Sequence, residues 1–278
     1  MSDPAVGAYA VEDTRRVTAG IIQKETPAEV VVNFTGGTKC MSIGAFLAAR
    51  EGGATSLYVD TADEKLVWFR PNGEVREEPF DLRGRLTVPV QLSSNGRRID
   101  EQRTRRQALP APAYQLAREL LGLWPQCVPT LDEFGRAISQ GQKRLSNTGL
   151  DVQVTELLRK YRFIGAVADG SWEITPQGRA VLTGKWLEAL VYVLLEGSGY
   201  FDDVMVNVCL SGFENELDVV VARNGQLAVI ECKSGDLGGM TTLNKLQAIR
   251  TTLGIFARGF FVTSRTADQV DNSFRVRA

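Results

Sequence analysis

The sequence predicts an α/β protein of more than one domain, on three observations. A β-branched run, Glu29 to Phe34, passes through a glycine loop into an apolar helix and a second strand, the order of a βαβ unit. The C-terminal part orders as helix, three strands, helix, strand, with Asn224-Gly225 as a two-residue hairpin turn. At 278 residues the chain sits near the size where one hydrophobic core gives way to two, and 44% apolar with 23% charged residues is an ordinary globular composition.

Taken in order, Val11 to Gln23 is an amphipathic helix, Glu29 to Phe34 a strand, and Thr35-Gly36-Gly37-Thr38-Lys39 opens the helix Cys40 to Arg50, which Gly52-Gly53 stops. The strand Ala54 to Asp60 completes the βαβ unit, and Lys65 to Arg70 with Glu74 to Phe80 forms a hairpin appended to it. Residues 83–111 mix Arg, Gly, Ser and Pro without periodicity and read as a linker. Ala113 to Trp124 is helical, Thr130-Leu131-Asp132-Glu133 is a capping box opening a second helix, and Val152 to Tyr161 is a third. Phe163 to Thr175, turning at Asp169-Gly170, completes three helices and a wing, resembling a winged helix. Then come helix Ala180 to Glu196, strands Asp203 to Leu210, Glu216 to Ala222 and Gln226 to Lys233, helix Thr241 to Ala257 and strand Gly259 to Thr263. The expected domains are 1–92, a connector over 93–178, and 179–278.

Composition removes several chemistries. The chain has no histidine, which excludes Ser-His and Cys-His nucleophiles and His-ligated zinc. Its four cysteines form no C-x-x-C pair, so neither a zinc cluster nor a disulfide framework is indicated, and a reducing cytoplasm fits. The first ten residues lack a leader pattern, and no apolar run approaches the ~18 residues of a membrane span. The net charge of −1 hides seven arginines against two acids over 83–106, and six basic against two acidic residues over 243–278. Either stretch is a candidate for phosphate contact, or simply a solvated linker and tail.

The hairpin around Asn224-Gly225 carries the most information. With Arg223 and Gln226 as the closing pair, Asp218 stands opposite Glu231 and Glu216 opposite Lys233. Opposed residues share a face, so Asp218, Glu231 and Lys233 point the same way. Leu217, Val219, Val221, Ala228, Ile230 and Cys232 form the apolar rear that fixes this register. Two carboxylates about 5 Å apart repel by about 3 kcal/mol at an effective dielectric of about 20, more than a favourable cross-strand pair supplies. A divalent cation offsets that repulsion; hard oxygens suit Mg²⁺ or Mn²⁺, and Lys233 is placed to stabilise developing negative charge. Glu188, in line with Val181, Val191, Tyr192 and Leu195 on an apolar helix stripe, is the third candidate carboxylate.

A helix Glu, a strand Asp and then E-x-K, here Glu188, Asp218, Glu231 and Lys233, resembles the PD-(D/E)XK nucleases. Gly184 to Glu188, Asn215 to Asp218, Glu231-Cys232-Lys233 and Lys245 to Arg250 resemble more narrowly the nuclease half of CARF-fused CRISPR ancillary nucleases. The resemblance covers roughly residues 180–265 and implies a restriction-endonuclease-like domain. It further implies Mn²⁺ or Mg²⁺ held by Glu188, Asp218, Glu231 and the backbone carbonyl of Cys232, with Lys233 assisting cleavage of DNA and, as an open second class, RNA.

On its own the 35–39 loop is either a structural turn or an anion site at a helix N-terminus; it is not a Walker A loop. The string Val32 to Ser42 resembles the ligand loop of CARF domains in the same nucleases. That implies a Rossmann-like domain binding a cyclic oligoadenylate, usually cyclic tetra-adenylate, across a homodimer axis through Thr35, Gly36, Gly37, Thr38 and Lys39. Only 28 residues precede the strand entering this loop, so the implied CARF domain is partial. The combined expectation is a metal-dependent nuclease of antiviral defence, activated by cyclic tetra-adenylate. The alternatives are a non-enzymatic binding module and an unregulated restriction or repair nuclease.

Overall fold

In the computed structural model, which describes residues 7–25, 29–81, 84–235, 239–253 and 257–270, the chain divides into two units, Met1–Arg83 and Gly84–Ala278. The first contains α1 (Val11–Lys24), β1 (Val31–Asn33), α2 (Lys39–Glu51), β2 (Thr55–Asp60), β3 (Lys65–Phe69) and β4 (Val75–Pro79). Its sheet runs in the order β1-β2-β3-β4. β1 and β2 are parallel, as a βαβ crossover requires, and the β3-β4 hairpin is antiparallel to β2. Helix α1 lies close against α2 because Gly44 has no side chain; a Cβ there would collide with the Val11 carbonyl. The core is small. Ile22, Ala48, Ala49 and Ala54 are its buried members, beside a ring cluster of Phe34, Phe46, Tyr58 and Phe69.

The second unit begins with two helices where a linker was expected: α3 (Val88–Ser94) and α4 (Glu101–Gln107). Val88 and Leu92 are buried against the C-terminal sheet, and the Val88 amide donates to Asp203 Oδ2 at 2.8 Å. Arg103 spans the carbonyls of Phe213 and Glu214, and Arg97 reaches that of Thr252. Part of the arginine-rich stretch is therefore structural. Each helix has seven residues, under two turns, too short to show a period in the sequence.

Next come α5 (Ala111–Leu121), α6 (Val128–Ser139), β5 (Arg144–Leu145), α7 (Val152–Lys160), β6 (Ile164–Ala166) and β7 (Trp172–Ile174). The expected wing is present, extended by β5 into a sheet of order β5-β7-β6. The capping box is not. Helix α6 starts at Val128, with Pro129 in its first turn, and buried Thr130 uses its hydroxyl to accept the Asp151 amide.

The single helix expected over Ala180 to Glu196 is two, α8 (Pro176–Leu182) and α9 (Lys185–Gly197), broken at Gly184 with φ 125°. Strands β8 (Asp203–Cys209), β9 (Glu216–Arg223) and β10 (Gln226–Lys233), helix α10 (Gly239–Leu253) and strand β11 (Arg258–Thr263) complete the chain. Residues 254–256, in the expected last helix, and the basic tail beyond 270 lie outside the described residues. The sheet order is β11-β10-β9-β8, with β10 and β11 parallel and the other pairs antiparallel.

Both faces of this sheet are covered. Val219, Val221, Ile230 and Cys232 pack under α9 in one apolar cluster with α5–α8, so helices α5–α8 and the C-terminal sheet share a core. Val220, Ala222, Leu227 and Val229 pack on the other face under α3 and α10. Leu217 joins this second cluster, not the rear face to which alternation assigns it. The pleat therefore does not run undisturbed past Asp218.

Candidate active site

The register around Asn224-Gly225 is the expected one, from Gln226 opposite Arg223 to Ile230 opposite Val219. There the ladder stops, one step short of Glu231 and Asp218. Asp218 takes up a main-chain donor instead: its Oδ2 accepts the Cys232 amide at 2.7 Å. The β8 side opens at the same level. Val206 pairs with Val219 and Val208 with Leu217, but the intervening Asn207, opposite Asp218, has φ 54° and no ladder partner. Asp218 thus sits where its strand is released from both neighbours.

Around it the elements deliver further charged groups. Glu188, in the first turn of α9, accepts from Asn207 Nδ2 at 2.6 Å. Glu231 is 2% exposed, and its Oε1 lies 2.8 Å from Lys245 Nζ on α10. Lys233, the last residue of β10, is half-buried and opposite Thr263 of β11; among the described residues it enters no ion pair. Lys185 pairs with Glu216 at 3.3 Å. Cys232 is buried on β10, between Glu231 and Lys233.

Burial dominates the electrostatics. It pushes the Asp218 carboxyl up to about 7, and the charges of Glu231 and Glu188 push the same way. Burial also raises Glu188, against the Asn207 hydrogen bond and Lys185. The Cys232 thiol is driven far up, by burial first and then by Asp218, which favours its protonated form.

Among the described residues, two atoms of this cluster have no partner: Glu231 Oε2 and Asn207 Oδ1, both sealed from solvent. A buried acceptor left unpaired costs about 1–3 kcal/mol, and hard oxygens of this kind are what Mg²⁺ and Mn²⁺ bind. The residues therefore fit a divalent cation in donor type. Among the described residues, however, no three acidic or thiol groups stand close enough to enclose an ion. Each carboxylate is tied to a protein donor: Glu188 to Asn207, Asp218 to the Cys232 amide, Glu231 to Lys245. Gathering them on an ion exchanges at least one of these bonds.

Two members of the cluster escaped the sequence reading of the site. Asn207 is the one polar residue in Val204-Met205-Val206-Asn207-Val208-Cys209, and Lys245 falls in line with Ile249 and Leu253 on the buried stripe of α10. The signal in both cases is the one that exposed Glu188: a polar group at an apolar position.

A large cavity lies elsewhere. About 980 Å³ in volume, it follows α9 and β10-β11, is lined by Leu190, Leu194, Tyr200 and Phe260, and includes none of the candidate carboxylates.

In the first unit, the loop between β1 and α2 is ordered by its own hydrogen bonds. Thr35 Oγ1 accepts the Val59 amide at 2.7 Å, Thr38 caps α2 by accepting from Met41 N and donates to the Ala8 carbonyl, and Ser42 donates to the Gly36 carbonyl. Gly37 has φ 86°, which requires glycine, whereas a Cβ at Gly36 would meet nothing within 4 Å. Lys39 is the first residue of the helix.

Residues 10–89 match the family model of the Card1 CARF domain, and residues 176–278 that of the Card1-like endonuclease domain. Can2 from Sulfobacillus thermosulfidooxidans, solved in complex with cyclic tetra-adenylate, has a similar structure: TM-score 0.68 at 25% identity, over 98% of this chain and 76% of that one. Protein VC1899 from Vibrio cholerae shares the fold with TM-score 0.62 at 21% identity, over 94% and 73%. A type III CRISPR defence DNA nuclease activated by cyclic oligoadenylate shares it with TM-score 0.50 at 22% identity, over 93% of this chain and 36% of that one. No curated protein matches the chain. No helix among the described residues is long and apolar enough to cross a membrane.

Proposed function

We propose that this chain, a Card1-type CARF domain joined to a Card1-like endonuclease domain, hydrolyses nucleic-acid phosphodiesters at the Glu188–Asp218–Glu231 cluster under the control of cyclic tetra-adenylate. The observation that carries the catalytic half is the pair of buried, unpartnered oxygens beside three buried or half-buried carboxylates. When bound there, Mn²⁺ or Mg²⁺ supplies positive charge to a phosphoryl oxygen and lowers the pKa of an attacking water.

The chain's own residues do the rest. Asp218, Glu231, Glu188 and the Cys232 carbonyl furnish oxygen donors. Lys245 holds Glu231 and is thereby engaged, which leaves Lys233 as the ammonium free to approach the phosphate and neutralise charge as the bond breaks. DNA is the main substrate, with RNA as a second class. Replacing Asp218 or Glu231 by Ala and following Mn²⁺-dependent cleavage tests this half, and unchanged activity would overturn it.

The sensing half rests on the 35–39 loop. Its hydroxyls are spent on ordering the backbone, so a ligand meets main-chain amides, the open flank of Gly36 and the Lys39 charge at the N-terminus of α2, where the helix dipole favours an anion. A cyclic oligonucleotide offers phosphates of that kind, and the structurally similar Can2 was solved holding one. A homodimer placing two such loops around one ring, a connector between sensor and nuclease, and a cytoplasmic location in keeping with four free cysteines complete the reading. Titration with cyclic tetra-adenylate that produces neither binding nor a change in cleavage rate would refute the sensing half alone.

A further inference from the structure

We propose that Asn207 belongs to the cation site: its amide nitrogen positions Glu188 and its amide oxygen is a further oxygen donor to the ion. This rests on the metal-dependent reading above and extends it to a residue outside the expected set.

The backbone gives the first argument. Of the four non-glycine residues with positive φ among those described, Asn207 alone lies inside a strand; Glu64, Arg162 and Asn224 lie between elements. Asn is one of the few side chains that tolerate this conformation. Here it interrupts the β8-β9 ladder opposite Asp218 without shifting the register on either side. An interruption with no inserted residue does nothing for sheet pairing. Its local effect is to bring an amide side chain into the carboxylate cluster.

The side chain gives the second. Asn207 is fully buried. Nδ2 is committed to Glu188 Oε2 at 2.6 Å, which orients the amide, and Oδ1 has no partner. A folded core that needed only a spacer here would gain from an apolar residue. The arrangement instead keeps an uncompensated acceptor in the same cluster as the uncompensated Glu231 Oε2. Acceptors without donors, next to acidic groups, call for a cation. An amide oxygen also adds a donor without adding another negative charge beside Glu188, Asp218 and Glu231.

The test is Mn²⁺ binding by calorimetry, without substrate, on the full chain and on Asn207→Gly, Asn207→Asp and Asp218→Ala. Glycine accepts the positive φ, and circular dichroism checks that it folds. Asn207→Gly should weaken Mn²⁺ binding about 10–100-fold, the usual effect of losing a group that tunes a metal site. Asn207→Asp tolerates the backbone and keeps an oxygen but loses the Nδ2 donor to Glu188, so it should bind Mn²⁺ more weakly than the parent and more tightly than Asn207→Gly. Parent-like affinity in Asn207→Gly, with binding lost in Asp218→Ala, would overturn the inference and leave the metal site standing. If Asn207→Gly does not fold, Asn207→Ala takes its place, and parent-like Mn²⁺ affinity there, with binding lost in Asp218→Ala, would overturn the inference. No Mn²⁺ binding by the parent would overturn the metal reading itself, and with it this extension.

Discussion

The loop at 35–39 and the carboxylate cluster at 188, 218 and 231 treat their polar atoms in opposite ways. In the loop, Thr35, Thr38 and Ser42 each spend a hydroxyl on the backbone, so it is complete without a ligand. In the cluster, two oxygens are sealed from water and unpaired, and Asp218 is held toward its neutral form. A site of the first kind is preformed and needs no ligand to satisfy its own polar atoms. One of the second kind is electrostatically incomplete, and whatever completes it should stabilise the fold and respond to pH.

Removing the cluster's own counter-charge is the severest way to test that contrast. Lys245→Met keeps the side-chain stem but leaves buried Glu231 without its ammonium. Breaking a buried pair costs about 3–5 kcal/mol, and because Lys245 is one-third exposed the loss should fall near 3. Urea denaturation of the metal-free chain would measure it, and a loss below about 1 kcal/mol would mean that Glu231 is not an unscreened buried charge.

Mn²⁺ acts in the other direction. At about 100 times its dissociation constant it should raise the stability of the second unit by about 2.7 kcal/mol, whereas the first unit should be unmoved. Equal shifts in both units, seen by hydrogen exchange, would erase the distinction between the two sites.

The pH dependence follows from Asp218. Its carboxyl lies at about 7 in the folded chain, against about 4 when unfolded. Between those values the folded state holds a proton the unfolded state has lost, so the contribution of Asp218 to metal-free stability is fully present below about pH 4 and is lost as pH rises through about 7. Bound Mn²⁺ requires the ionised form, so its affinity should increase over the same interval. Melting temperatures at pH 5 and pH 8, with chelator and with Mn²⁺, check both signs; a flat chelator profile would contradict the placement of Asp218 among buried carboxylates. The smallest effect belongs to the loop. Thr38→Ala removes the cap of α2 and should cost the first unit about 1 kcal/mol, read by urea denaturation of the full chain.

What was legible in the sequence followed from period and turn chemistry. The βαβ unit, its added hairpin and the β9-β10 register come from alternation and from Asn224-Gly225, and the structure has all three. Glu188, Asp218 and Glu231 were legible as acids at positions that should be apolar or opposed. Other features depend on tertiary contact. Helices α3 and α4 are too short to show a stripe, and they form because Val88 and Leu92 find the sheet. The break at Gly184 hides inside a helical pattern that continues on both sides. The second buried face was missed because only the alternating set from Leu217 to Cys232 was assigned to a core, whereas Val220, Ala222, Leu227 and Val229 are covered as well. The opening of the ladder at Asp218 is set jointly by the Cys232 amide and by Asn207, one residue on each flanking strand, and no single segment displays it.

The most direct test of the central claim is Mn²⁺-dependent cleavage of DNA by the full chain in the presence of cyclic tetra-adenylate, beside Asp218→Ala and Glu231→Gln. A divalent-cation site at this cluster predicts that the parent cleaves, that chelator stops it, and that both variants fall to about a thousandth of the parent rate or less, since residues acting as one catalytic unit each remove nearly the whole effect. Parent-like cleavage by either variant would contradict it.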